Sequence, residues 1–496
     1  MAALRDALRG REPPPLPSVA ARASYRWFVV GTVCIGSFIG QVDASMTQML
    51  LPRLEADFSA RLSTVSWVAV AYLLAMASFM PIFGRLADML GRKLLYTGGF
   101  LLFVLGSALC GFAEDLPTLI GFRVLQGIGA ALLTANSIAI VVTAAGPEAR
   151  GRALGLQSAA QAIGLGIGPA VGGLILDTLG WHWMFWINVP FGLVGALLGW
   201  LVIPQTTKPE PSRFDWSGAL LIGPALTAVI ALLNQGYDWG LRSPLFLACL
   251  ALAVVFLGLF VRVERRAAAP LVDLALLRAG AFVTGNLANF LSYAMLFGVF
   301  FLIPFELVRV YHDSGFRAGL RLSLVPVMLG LLAPLGGVLF DRVGPRLATG
   351  GGMLLCLGGL ALLYLFLDGT PGHLTWVMAG LALFGAGQGL FVSPNTSAIM
   401  ATAPPALTGE AGSLLNVVRF LGISGGIASA STVLALALSL LYGDRAGTLG
   451  ASADSLVGAG RLVLLMLGGF GVLAGLLSLL RSVPRGAVRE GPVEIG

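Results

Sequence analysis

The chain alternates between long apolar stretches and short polar breaks. Runs almost free of charge occupy about residues 27–50, 64–83, 94–113, 117–143, 154–176, 183–203, 215–235, 244–263, 281–308, 318–340, 346–367, 374–399, 409–441 and 460–481. Each is close to the roughly 20 residues that carry a helix across a bilayer core. The pattern predicts an all-α integral membrane protein with fourteen spans. Setting aside the central pair, 215–235 and 244–263, leaves six spans on each side. The expected layout is a tail at 1–26, a six-helix bundle at 27–203, and a linker carrying two additional transmembrane helices at 204–280. A second six-helix bundle at 281–482 and a tail at 483–496 complete it.

One polar break recurs. Gly84-Arg85-Leu86-Ala87-Asp88-Met89-Leu90-Gly91-Arg92-Lys93 and Gly337-Val338-Leu339-Phe340-Asp341-Arg342-Val343-Gly344-Pro345-Arg346 lie 253 residues apart. Gly, Leu, Asp, Gly and a final cation keep the same spacing, and each copy joins two apolar runs. The first Gly allows close helix approach, and the second permits a tight reversal. The Asp is placed to face the N-terminus of a neighbouring helix. The cations are expected to anchor the membrane surface. A turn repeated once in each half marks a transporter built from repeats.

Composition agrees. With 57% hydrophobic and 11% charged residues and a mean hydropathy of +0.89, 496 residues cannot cover a water-soluble surface. Most of the 31 Lys and Arg fall on one side of the predicted spans, together with both charged turns and both termini. The positive-inside rule makes that side the cytoplasm. The net charge of +7 is therefore a topology signal and gives no reason to expect nucleic-acid binding. All the cations except Lys93 and Lys208 are Arg, as in a GC-rich bacterial genome. Residues 1–26, with Arg5, Arg9, Arg11, Arg22 and Arg26 around three prolines, are expected to be a short disordered tail. A signal peptide is rejected because the run after Trp27 is long enough to span and lacks a cleavage site. Cys34, Cys110, Cys249 and Cys356 fall singly within spans, and His182, His312 and His373 fall in outer loops. Neither set forms a metal or disulfide pattern.

Charges inside spans are the candidate chemistry. In Arg123-Val124-Leu125-Gln126-Gly127-Ile128-Gly129 of the fourth span, Arg123 lies about 9 Å from the outer end at ~1.5 Å per residue. Asp43 in the first span lies about 10 Å deep by the same count. Buried charges at one depth in a bundle are expected to pair. In the fifth span Gly164, Gly168 and Gly172 recur every fourth residue and form a smooth face, and Pro169 cannot donate to Leu165. In the thirteenth span Asn416 and Arg419 stand in Asn416-Val417-Val418-Arg419-Phe420-Leu421-Gly422, with Arg419 roughly 15 Å from the inner end. Glu306, near the outer end of the ninth span, is expected to be solvated at the rim.

These residues resemble the major facilitator superfamily, in its fourteen-span branch of drug/proton antiporters, over about residues 27–482. The charged turns match the family's loop signature in both halves. Arg123 to Gly129 resembles its fourth-span Arg-x-x-Gln-Gly-x-Gly, and Gly164 to Gly173 its fifth-span Gly-Pro antiporter motif. Asp43-Ala44-Ser45 through Leu51-Pro52 resembles its first-span motif, with Ser45 for Thr, and Asn188-Val189-Pro190 also fits. The resemblance implies a major facilitator fold and a proton-coupled exporter of amphipathic or lipophilic small molecules, of the multidrug-efflux type. It would work by alternating access in a bacterial inner membrane, with both termini cytoplasmic. By the same resemblance Arg123 serves proton coupling and Asp43 cation or proton binding. With them go Gln126, Asn416 and Arg419 on the coupling and substrate path. Gly84, Asp88, Gly91, Arg92, Lys93, Gly337, Asp341, Arg342, Gly344 and Arg346 form the cytoplasmic gate loops. Gly164, Gly168, Pro169 and Gly172 form the hinge.

Two departures stand out. Met89 replaces a cation usual in the first turn, and the second half has no acidic residue at mid-span, which weakens a cationic cargo. An exporter of lipid, envelope precursor or metabolite with the same fold is the alternative. No nucleophile, metal or Gly-Lys-Ser/Thr constellation supports an enzyme or an ATP-driven pump. The expected energy source is the proton gradient with no cofactor. The expected partners are the bilayer, protons and a small amphipathic solute, for a monomer.

Overall fold

The computed structural model describes residues 12–205, 215–240, 242–267, 276–404, 407–443 and 448–480. Within them are fourteen apolar helices and no strand. The first six are α1 (Tyr25–Phe58), α2 (Leu62–Leu90), α3 (Arg92–Gly111), α4 (Leu116–Gly146), α5 (Glu148–Thr178) and α6 (Trp183–Val202). The inserted pair is α7 (Trp216–Gln235) and α8 (Pro244–Glu264). The last six are α9 (Gly280–Arg309), α10 (Gly315–Phe340), α11 (Pro345–Phe366), α12 (Pro371–Met400), α13 (Glu410–Leu441) and α14 (Ala453–Leu480). The fourteen predicted spans are therefore present. Most run a few residues past the limits read from hydropathy, because polar caps and helix ends extend beyond the apolar run. The linker at 206–214 and the tails at 1–11 and 481–496 lie outside the described residues.

Both charged turns are tight reversals through a left-handed glycine, Gly91 at φ 116° and Gly344 at φ 81°. A side chain at either position would be strained. They share one face of the molecule with the described termini, here called the signature face. The stretch ahead of α1 is not the free tail expected. Glu12 accepts a hydrogen bond from the Leu94 amide at 3.1 Å, Lys93 donates to the Pro13 carbonyl at 2.7 Å, and the Leu16 amide donates to the Leu201 carbonyl at 2.9 Å. A carboxylate thus caps the first turn of α3, where the orphan amides and the helix dipole favour an anion.

The two bundles meet tightly at the opposite, far face. Asp177, at the end of α5, accepts from the amides of Gly315 and Phe316 at 2.9 and 2.8 Å and so caps α10 from the other bundle. Glu55 at the end of α1 accepts from the Thr448 amide at 3.0 Å and from its hydroxyl. Arg309 of α9 donates to the Pro52 carbonyl at 3.1 Å and lies 3.8 Å from Glu55. Helix α7 touches both bundles: Asn234 donates to Ser66 at 2.8 Å, and Thr432 donates to the Leu233 carbonyl at 2.8 Å. Helix α8 packs on α7 and turns most of its surface to lipid, with Val254 64% exposed.

Candidate functional site

A closed polar network sits in the apolar interior of the first bundle. Asp43 of α1 is fully buried, and its Oδ2 accepts from Arg123 Nη1 of α4 at 2.7 Å. Its Oδ1 accepts from Gln126 at 2.9 Å and from Asn188 of α6 at 2.9 Å. Arg123 and Gln126, one turn apart on α4, face the same way. Arg123 also donates to Gln126 Oε1 at 2.6 Å and, through Nε, to the Val68 carbonyl of α2 at 2.8 Å. Its guanidinium lies 4.2 Å from the centroid of the Tyr72 ring, with Phe185 on a second side at 5.6 Å. Ser107 of α3 accepts from Gln126 at 2.5 Å. Five helices of one bundle therefore contribute to a single ion pair.

Such an arrangement depends on the charge of Asp43. Two unlike charges leave water together only when their remaining donors and acceptors find partners; here both Asp43 oxygens and the Nε and Nη1 of Arg123 do. Adding a proton to Asp43 removes the counter-charge and turns an acceptor into a donor. Arg123 must then find water or another anion, which gives the bundle a reason to rearrange. Snorkelling of Arg123 to the interface is excluded, because the side chain is 1% exposed and tied inward. Asn188, Ser107 and Tyr72 join the predicted trio of Asp43, Arg123 and Gln126. Asn188 appears in the sequence motif, but nothing there shows that its amide meets Asp43.

The other predicted residues lie apart from this network. Asn416 donates to the Gly412 carbonyl at 3.0 Å on its own helix. Arg419 stacks on Tyr293 of α9 at 4.9 Å and lies 5.9 Å from the ring of Phe420. In the first charged turn Asp88 accepts from the side chain of Arg92, the first residue of α3, at 2.8 Å. Lys93 is buried under Pro13 rather than spread on the surface. Gly84 has open space beside it and Gly337 lies near Ser393. Arg342 and Arg346 are exposed. The side chain of Asp341 lies outside the described residues.

The fifth-span glycines face α1 of their own bundle: a Cβ on Gly164 would meet the Phe38 carbonyl at 2.6 Å, and Cβ atoms on Gly168 and Gly172 would collide with Ser45 and Met46. The contact that crosses to the second bundle is made beside them. The Pro169 carbonyl abuts Gly319, and Gly173 abuts the Gly315 carbonyl. The rim-solvated Glu306 is also corrected. It is 1% exposed, with its carboxyl turned against Gly460 of α14, where the missing Cβ makes room.

Known proteins resemble this chain throughout. The model of the Major Facilitator Superfamily matches residues 33–427. The chain is 35% identical over 418 residues to the riboflavin transporter RibZ of Clostridioides difficile, covering 84% of this chain and 89% of that protein. It is 31% identical over 410 residues to a multidrug resistance protein B homolog of Mycobacterium tuberculosis, covering 82% and 75%. A solved bacterial homolog of the human lysosomal transporter Spinster, in an inward-facing and occupied conformation, overlays with a TM-score of 0.67. That overlay covers 95% of this chain and 100% of the other at 17% identity. These likenesses, with the fourteen helices and the repeated charged turn, show that the chain belongs to the Major Facilitator Superfamily and is a transporter rather than an enzyme.

Proposed function

We propose that the protein is a proton-coupled exporter of amphipathic or lipophilic small molecules, working by alternating access between its two bundles. The observation that carries this reading is the Asp43–Arg123 pair, a buried carboxylate whose protonation changes the charge of a sealed network. With the signature face in the cytoplasm of a bacterial inner membrane, the tied far face is the outer gate, closed here. A proton entering from outside reaches Asp43 when the far face parts and leaves when the signature face opens. The gradient supplies ~2.3 kcal/mol per charge per 100 mV, before any pH term. It drives the cycle only if the two conformations hold the proton differently.

A second reading keeps this machinery and changes the cargo. The relative named a riboflavin transporter favours a polar heteroaromatic solute over a drug. The test is transport by the purified full chain in proteoliposomes with an imposed pH gradient, using lipophilic dyes and riboflavin as separate cargoes. The expected result is solute movement that depends on the gradient and carries protons the other way. Solute movement indifferent to the gradient and unaccompanied by protons would overturn proton coupling.

A further inference from the structure

One charged side chain in the interior takes no part in the network above. Arg419 lies near mid-membrane on α13, where an ion needs a partner or water. It is half-buried, it forms no ion pair among the described residues, and its Nε is buried without a hydrogen-bond partner. The guanidinium is held by its stack on Tyr293. The seam around it is built closely. A Cβ on Gly422 would meet the Phe290 carbonyl at 2.5 Å, and one on Gly426 would collide with the Ala294 carbonyl. Helices α9 and α13 therefore run side by side in fixed register. Asn289 stands four residues before Tyr293, on the same face of α9. It is fully buried, and neither end of its amide has a partner. Unmet polar groups inside apolar surroundings are costly and need an explanation.

The balance of charge at this seam has one sign. It offers a permanent cation with a planar fork of donors, a neutral amide and an aromatic face. The acid at comparable depth, Asp43, is already engaged by Arg123, Gln126 and Asn188. Glu55 and Glu306 belong to the far ends of α1 and α9. A cationic cargo would meet Arg419 without a free anion to offset it. A flat molecule bearing a carboxylate, or a strongly polarised carbonyl, would take the fork bidentately and lie against the ring.

We propose that the α9–α13 seam is the polar contact for cargo and selects planar anionic or carbonyl-rich molecules over cations. This rests on the reading of the chain as a small-molecule transporter and names the class of its cargo. Its test needs no gradient, so a failure of proton coupling leaves the outcome readable.

Two xanthene dyes of similar ring size, anionic fluorescein and cationic rhodamine 6G, serve as probes in equilibrium fluorescence-anisotropy titrations of the purified full chain. The native protein should bind fluorescein at least about tenfold more tightly, the scale of one charge-assisted hydrogen bond. Arg419→Gln should erase that preference. Arg419→Lys keeps the charge without the planar fork and should lose several-fold, and Tyr293→Leu should weaken fluorescein more than it weakens rhodamine. Each variant is first checked by thermal melting. If Arg419→Gln does not fold, the lysine and leucine variants decide. Equal or tighter binding of rhodamine 6G by the native chain, or a fluorescein preference that survives in the folded Arg419 variants, would overturn the proposal.

Discussion

Asp177 makes a sharp prediction because its bonds cross between bundles and exist only while the far face is closed. Replacing Asp177 with Ala removes the acceptor for two amides of α10, at 2.9 and 2.8 Å, together with a negative charge at that helix N-terminus. Loss of an N-cap costs about 0.5–2 kcal/mol, and the favourable charge adds about 0.3–1 kcal/mol before solvent screening. Asp177 is exposed, so the net is about 1–2 kcal/mol. Ser314 still caps the Arg317 amide of the same helix, at 3.3 Å, in either case. Because the bonds belong to one conformation, the whole amount should appear as a shift of about 5- to 30-fold toward far-face opening. Spin labels at Leu179 and Leu449, on opposite bundles and 57% and 39% exposed, would report it as a growing population of longer distances. Asp115→Ala is the control. Asp115 caps its own helix through the Thr118 amide at 2.7 Å and should lose similar local energy without moving the distances. Superimposable distance distributions for Asp177→Ala and the native chain, or an equal shift in the control, would refute the latch.

Asp43→Asn should abolish gradient-driven flux while leaving a folded protein, because the amide preserves shape but removes the charge opposite Arg123; pH-driven transport near the native rate in proteoliposomes would count against Asp43 as the proton site. Asp88→Asn should lower flux without changing the melting temperature, since its ion pair with Arg92 is solvent-exposed and such pairs are worth about 0–1 kcal/mol; a lowered melting temperature with unchanged flux would assign it to stability instead. Gly168→Leu should destabilise the first bundle by about 1–3 kcal/mol, because its face is packed against Ser45 of α1. Unchanged melting with one mouth permanently closed to single-cysteine labelling would show that the α1–α5 seam itself moves in the cycle.

The spans were legible because crossing lipid imposes a requirement on every residue in a run, whatever the neighbours. The contact between Asp43 and Arg123 was legible for a related reason: charge is rare at that depth, and depth can be counted along a helix. Asn188 and Ser107 escaped notice because one neutral polar side chain in an apolar helix has no period and no charge. The far-face ties could not be read at all. Asp177 meets two backbone amides 138 and 139 residues further along the chain, and backbone groups leave no trace in a side-chain pattern. Glu306 misled because its distance from the span end resembled that of a rim residue, while its burial depends on a missing Cβ at Gly460 on another helix.

The stretch ahead of α1 has a bearing on biogenesis. Glu12 reaches α3 through Leu94, its own carbonyl accepts from Gln205 just beyond α6 at 2.5 Å, and Leu16 reaches the end of α6. These residues, made before the first span, therefore have no docking site until the ribosome has delivered the third span, and no complete one until it has passed residue 205. The strap then ties the third and sixth spans together on the signature face. The bundle closes as a finished unit before the second half of the chain needs to exist, and a fusion or truncation before Leu16 is felt at the end of the sixth span.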